Sequence, residues 1–491
     1  MSSVIEVDQG SGILQTGRNC WRAEHATKAT VIVDAEGYFK AARSAMLQAK
    51  QRIMLIGWDF DARINIGCEG DGQGPVELGE FILWLVGRCP TLEIYLLRWD
   101  VGAVKTIFRG TTIFTLVKWM RHPRIHTVLD GAHPTGSSHH QKIVVIDDGF
   151  AFCGGIDMTG DRWDTHEHLD DQPRRQRPNG RTYMPWHDAT TALQGPIAGT
   201  LGELARDRWQ RGGGEALAPV TGAAEIWPDG LPDHFQDVEI GISRSQPLMP
   251  EVEPVREIEE LYLSLIASAK HMIYAESQYF ASRRIAEAIG KRLAEPGGPE
   301  IVLVNPLTAD GWLEPIAMDT ARARLFQALS RIDKDRRFRL YHPYTAGGQP
   351  IYVHAKVLIV DDQVLRVGSS NMNNRSLRLD TECEVTIDCA RSSNKWSQPV
   401  IRSIRDNLIA EHLGAEPKLV ARCIEQSGSL IETIAAMRGD GRSLRPYEVP
   451  DLNSVENWLA DNEVLDPEGP EEMFESFSKR GLFARMRKRR K

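Results

Sequence analysis

Apolar and polar positions along the chain run through the same order twice. Helix-spaced apolar residues across 38–50 lead into Arg52-Ile-Met-Leu-Ile-Gly-Trp58, and the pattern returns across 258–270 before His271-Met-Ile-Tyr-Ala-Glu-Ser-Gln-Tyr279. Each half then carries a second helical stretch, at 78–88 and 283–293. A short run that is apolar at nearly every position follows, at 92–97 and 300–304. Runs of that length suit strands buried on both faces. Self-similarity on this scale predicts two lobes of one architecture. Helices alternating with β-branched runs make the expected fold α/β, with two similar lobes, each a mixed sheet flanked by helices, related by a pseudo-twofold axis.

The 491 residues exceed one comfortable core, which agrees with two lobes. Residues 25–211 and 251–415 are expected to form them, with 1–24 as an arm. Residues 212–250, rich in Gly, Pro and Ala, read as the connection. Beyond 415 the pattern changes to a helical stretch at 419–437, a loop at 439–450 and a two-part tail. Within that tail 451–478 carries nine acidic and no basic residues, and 479–491 eight basic and no acidic ones. Leu482, Phe483 and Met486 lie among the basic residues. The tail could hold the protein on anionic lipid, at about 1 kcal/mol per basic residue, or fold back on the acidic run.

Net charge narrows the partners: at -8, the chain is not expected to bind nucleic acid. Seven scattered cysteines without a CxxC pair indicate neither a zinc site nor a disulfide framework and suit a reducing cytoplasm. Neither a signal-peptide core nor an apolar stretch of about 18 residues occurs, so membrane contact is expected from the side. A monomer is expected. The location is read as cytoplasmic or peripheral at the inner membrane face, with non-classical secretion left open.

The chemistry lies in a repeated segment. His140-Gln-Lys142-Ile-Val-Val-Ile-Asp147 is followed after six residues by Gly154-Gly155, and His354-Ala-Lys356-Val-Leu-Ile-Val-Asp361 by Gly368-Ser369 at the same distance. In a strand, residues two apart share a face, so each histidine and its lysine point the same way. Asp147 and Asp361 have the opposite parity, which suits a structural role at the strand end. A phosphodiester needs cations against the charge developing on its oxygens, and two such strands would supply two lysines. Two imidazoles would flank the phosphorus, for attack and for leaving-group protonation. Gly155 and Ser369, in the paired small residues, would let the backbone approach the phosphate. An accidental strand histidine is a poor rival, because the whole segment occurs twice at one spacing.

This duplicated segment resembles the signature of the phospholipase D superfamily. Gly154-Gly-Ile-Asp-Met-Thr159, Arg162-Trp-Asp164, Pro185-Trp-His-Asp188 and Gly195-Pro196 resemble its phospholipase D proper branch. So do Glu276-Ser-Gln-Tyr-Phe280, Gly368-Ser-Ser-Asn371, Asn374-Arg-Ser376 and Asp380-Thr-Glu382. The likeness spans 17–413 and points to a bacterial-type enzyme similar to eukaryotic phospholipases D without their accessory membrane domains. It implies phospholipid hydrolysis through a phosphohistidine, with no metal or other cofactor. His140 is then the nucleophile and His354 the general acid, although the near-symmetry of the halves leaves the reverse open. Lys142, Lys356 and Asn371 would bind phosphate, and Asp157 occupies the position of Asn371 in the other half.

Each imidazole also needs an acceptor on its second nitrogen. Asp188 and Glu382 are the candidates, against the plainer reading of strand-end carboxylates. His139 faces away and is expected to pack or hydrogen-bond. Arg174, Arg175, Arg177 and Arg181 form either a headgroup-attracting or a merely solvated loop. Trp58 and Tyr279 are core or substrate contacts. A cardiolipin synthase-like transferase, a nuclease and an inactive scaffold are the rival functions.

Overall fold

The computed structural model describes residues 12–450, apart from 68–72, 100–111, Thr135, 223–224, 250–251 and 310–313. The acidic and basic tail, with its expected membrane contact, lies outside the described residues. Among them no helix is long and apolar enough to cross a membrane.

The first half supplies β1 (Arg22–Val33), β2 (Arg52–Gly57), β3 (Glu93–Trp99), β4 (Ile125–Asp130), β5 (Ile143–Ile146), β6 (Phe150–Gly154), β7 (Trp186–His187) and β8 (Ala189–Gln194). The second supplies β9 (Phe235–Gln246), β10 (Val255–Arg256), β11 (Met272–Glu276), β12 (Glu300–Val304) and β13 (Phe338–Tyr344). It continues with β14 (Tyr352–Val353), β15 (Val357–Val360), β16 (Val364–Gly368), β17 (Glu382–Asp388) and β18 (Ser443–Pro446). One sheet joins the halves in the order β4-β3-β2-β5-β6-β8-β1, then β9-β17-β16-β15-β11-β12-β13. The second run is the first reversed. β2, β3 and β4 are parallel, as are β11, β12 and β13, and the other neighbours in these two runs are antiparallel.

At the centre β1 and β9 pair antiparallel, from Arg22↔Ile242 to Ala29↔Phe235. This corrects the reading of 212–250 as a connection. Most of the Gly and Pro that suggested a linker precede residue 235, whereas Phe235, Val238, Ile240 and Ile242 are buried strand residues that begin the second lobe's sheet. The arm likewise ends earlier than expected, at β1. Near the other end the expected helix at 419–437 divides into Pro417–Ser427 and Leu430–Met437 at left-handed Gly428. The expected loop at 439–450 contains β18, which extends the sheet beside β13.

Alternation along the strands builds two apolar layers. Ile53 and Leu55 face the helices Ala35–Gln48 and Leu78–Arg88, while Met54 and Ile56 face the helix Pro196–Arg211. In the second half Ile273 and Ala275 face Glu257–Ser268 and Arg283–Ala294, and Tyr274 joins the layer under Gln398–Leu413. The layer containing Met54 and Tyr274 is continuous across both lobes.

The repeated segments turn at their aspartates. Asp147 and Asp148 have φ of 50° each, and Asp361 and Asp362 have 52° and 55°, so two tight hairpins close β5–β6 and β15–β16. The Asp147 carboxylate accepts from the backbone N–H of Lys50, Gln51 and Arg52 at 2.7, 2.8 and 2.6 Å. Asp361 accepts from Lys270, His271 and Met272 at 2.6, 2.8 and 2.8 Å. Each aspartate thereby fixes the entry to the strand beside its own. Replacing Asp147 by Ala strands three donors, and urea unfolding should show a loss of about 2–4 kcal/mol. A loss under about 1 kcal/mol would mean that water replaces the carboxylate.

Candidate active site

Each histidine sits just before its strand, not within it: β5 begins at Ile143 and β15 at Val357. The preceding residues pair with the opposite lobe. The His140 N–H donates to Thr381 O at 2.9 Å, and the His354 N–H to His187 O at 2.7 Å. β14 runs parallel to β7, and His139 bridges Thr381 in the same sense. Both pairings place a histidine beside the carboxylate that follows its partner.

The carboxylates are therefore exchanged. His140 Nδ1 lies 3.0 Å from both oxygens of Glu382, and His354 Nδ1 lies 2.7 Å from Asp188 Oδ2. Position in the chain suggested these acceptors, but not that each serves the histidine of the other lobe. With Nδ1 donating, each Nε2 keeps its lone pair. The two rings lie 6.4 Å apart, centroid to centroid. Burial, then Lys142 and Lys356, holds His140 well below the usual imidazole range. Burial, then Lys356 and Arg162, does the same to His354. Neutral imidazoles facing across a gap suit attack on an electrophile.

Two ammonium groups reinforce the site. Lys142 Nζ donates to His140 O at 2.8 Å and lies 3.2 Å from Asp157 Oδ2. Lys356 donates to His354 O, and burial brings its pKa down to about 7. Burial pushes Glu382 up to about 7 against the pull of Lys142, and it raises Asp188 as well. Asn371 donates to Gln278 Oε1 at 3.2 Å, while its own buried Oδ1 has no hydrogen-bond partner among the described residues.

Three expected substrate contacts take other places. Asp157 holds Lys142 and accepts from the Trp58 N–H at 3.1 Å, and an anion there repels phosphate. Ser369 Oγ donates to Glu382 Oε2 at 2.5 Å, away from the gap. A Cβ on Gly155 would meet Asp188 Oδ1 at 2.3 Å, and one on Gly368 would meet Glu384 Cγ at 2.6 Å. These small residues make room for the strands that carry the acceptor carboxylates, so close packing, rather than approach to a phosphate, accounts for them. Trp58 stacks on Trp99 at 5.8 Å. His139 is committed to Asp130, at 3.1 Å, and to Thr381. Within the arginine loop Arg175 is buried against Asp164, and Arg177 pairs with Asp161.

Two features escaped the sequence reading. The Arg162 guanidinium lies 4.4 Å over the Trp186 ring, itself 5.3 Å from the His354 ring. Behind Asp188, moreover, His187 Nδ1 lies 2.8 Å from Glu411 and its Nε2 2.8 Å from Glu276. Adjacency to Asp188 was the available signal for His187; nothing local marked Glu411, on a helix more than two hundred residues away.

A family model described as "Cardiolipin synthase, PLD-like domain" matches residues 262–402. Phospholipase D alpha 2 of Oryza sativa subsp. japonica is 23% identical over 77% of this chain and 64% of its own length. Phospholipase D1 of Saccharomyces cerevisiae is 24% identical over 89% of this chain and 31% of its own. The chain thus spans less than two thirds of these relatives. The crystal structure of phosphatidylserine synthase from Haemophilus influenzae shares the fold, with a TM-score of 0.53 at 12% identity, over 85% of this chain and 96% of that one.

Glu382→Gln keeps the shape of the His140 acceptor but not its charge, and should lower turnover on a phosphodiester about 10³- to 10⁴-fold with the fold retained. A loss under about tenfold would deny it the orienting role. The profile of kcat/KM should fall above about pH 7 as Lys356 loses its proton, because the neutral amine no longer offsets phosphate charge. Lys356→Arg should move that limb to higher pH.

Proposed function

We propose that this chain, which belongs to the phospholipase D superfamily, cleaves glycerophospholipids to phosphatidic acid and a free headgroup alcohol. The observation that carries the reading is the reciprocal anchoring of two facing imidazoles, with two lysines beside them. Phosphatidylcholine is the first substrate to test.

In this reading His140 Nε2 attacks phosphorus, forming an N–P bond as the P–O bond to the headgroup breaks. His354 gives its Nε2 proton to the departing oxygen. Burial and the neighbouring cations Lys356 and Arg162 keep His354 neutral in the free site; the anionic substrate offsets those cations, so binding favours the acid form. His354 then takes a proton from water, whose oxygen displaces His140 and releases phosphatidic acid. Lys142 and Lys356 stabilise the phosphoryl oxygens through both steps, with the Asn371 amide as a further donor. The histidine side chains favour this assignment, since His140 is 17% exposed and His354 only 5%. The substrate, by this account, enters on the His140 side.

An alcohol can replace water in the second half. The match to a cardiolipin synthase-like model and the fold shared with a phosphatidylserine synthase support such phosphatidyl transfer. We place the chain at the inner face of a membrane, approached through residues 479–491.

Vesicles of mixed phospholipids with a primary alcohol should yield phosphatidyl-alcohol, lost in His140→Ala and in His354→Ala. Cleavage of nucleic acid alone would overturn the substrate class. With p-nitrophenol as the leaving group no acid is needed, so His354→Ala should release a burst of p-nitrophenolate and His140→Ala none. The opposite pattern would exchange the two roles.

A further inference from the structure

The buried groups behind Asp188 form a second constellation, apart from the facing imidazoles. Asp34 follows β1, His168 and His187 lie between β6 and β8, and Glu411 is in the last turn of Gln398–Leu413. All four are buried, and their ligand atoms lie within 4.8 Å of one another. We propose that Asp34, His168, His187 and Glu411 bind one divalent transition metal, zinc foremost, as a closed structural site that clasps the two lobes.

Geometry comes first. His168 Nε2 and His187 Nδ1 each lie 2.8 Å from Glu411 Oε1. Asp34 Oδ2 lies 3.9 Å from His168 Nε2, and Asp34 Oδ1 lies 3.4 Å from His187 Nδ1. Four ligands at zinc bond lengths on a tetrahedron stand about 3.4 Å apart, in the middle of these separations. Each imidazole also gives its other nitrogen to a carboxylate: His168 Nδ1 to Asp164 at 3.1 Å, and His187 Nε2 to Glu276 at 2.8 Å. That carboxylate–histidine pairing orients metal ligands and fixes their tautomer. Two imidazoles with two carboxylates suit zinc, and manganese or iron next.

Charge comes second. Without a metal, both nitrogens of each ring face carboxylates, so a proton has to sit at each of these contacts. Exchanging one proton from each ring for one divalent cation leaves the net charge unchanged. The protonated arrangement still leaves Asp34 Oδ2 buried with no hydrogen-bond partner among the described residues. A cation at the centre would give it a coordinate bond instead.

The consequence for the active site is positional. The Asp34 N–H donates to Asp188 O at 2.8 Å, and the Asp188 N–H to Asp34 Oδ1 at 3.3 Å. A metal holding Asp34 and His187 would grip the segment that presents Asp188 to His354, and Glu411 would tie that segment to the second lobe.

The test is metal analysis of the purified full-length chain, with Asp34→Asn and His168→Gln beside it. About one zinc, manganese or iron per wild-type chain is expected, and several-fold less in both variants. Dipicolinate should strip the ion and lower the melting temperature, and zinc chloride should restore both. Against misfolding of a buried substitution, stripped wild-type protein is also given cobalt chloride. The visible bands of four-coordinate cobalt with nitrogen and oxygen ligands support the site. Wild-type protein holding under about a tenth of an equivalent, with no response to zinc chloride, overturns it. Full metal content in folded His168→Gln does so too. No substrate enters these measurements, so their failure would leave the catalytic reading where it stands.

Discussion

Everything in this molecule is arranged around an exchange: each lobe's histidine is oriented by a carboxylate from the other. His140 depends on Glu382 and His354 on Asp188. Such bonds tolerate little play, since misplacement by an ångström costs a catalytic constellation much of its rate. The continuous sheet meets that demand. β1 and β9 lock the lobes at the centre, one apolar layer runs beneath both, and Cys153 and Cys383 touch across the boundary at 3.7 Å. Small residues at 154, 155 and 368 let the strands that bear the carboxylates approach closely.

The second constraint is electrostatic. Burying this many charges is tolerable only because nearly all have partners. Lys142 has Asp157; its counterpart Lys356 lies in the lobe in which Asn371 stands in the place of that aspartate. The lobes are thus alike in backbone and unlike in charge. A symmetric scaffold presents an asymmetric field.

Short-range patterns were legible in the sequence because they are local. The helix Leu78–Arg88 and the strand Glu300–Val304 lie where periodicity puts them. The paired histidine segments announce themselves through one repeated spacing. β9 was hidden by the Gly- and Pro-rich residues before it, whose composition outweighed a strand that alternates only in part. The exchange of Asp188 and Glu382 was invisible for a different reason. Parity says which face a side chain takes, but not which lobe stands opposite. Gly155 suggested room for a ligand because it is a small residue near a catalytic group, whereas the space belongs to a neighbouring strand, and the Ser369 hydroxyl is held by Glu382. Asp34 and Glu411 gave no sign, one ending a strand and the other on an ordinary amphipathic helix.

Glu382 stands 242 residues beyond the histidine it orients. During synthesis His140 and Lys142 emerge long before that acceptor exists. The second lobe cannot act alone either, since His354 leans on Asp188. Both anchors are therefore present only in a chain that carries both lobes. A chain cut short by degradation or premature termination is left with an unoriented imidazole. The fold thus carries its own safeguard against half-made copies.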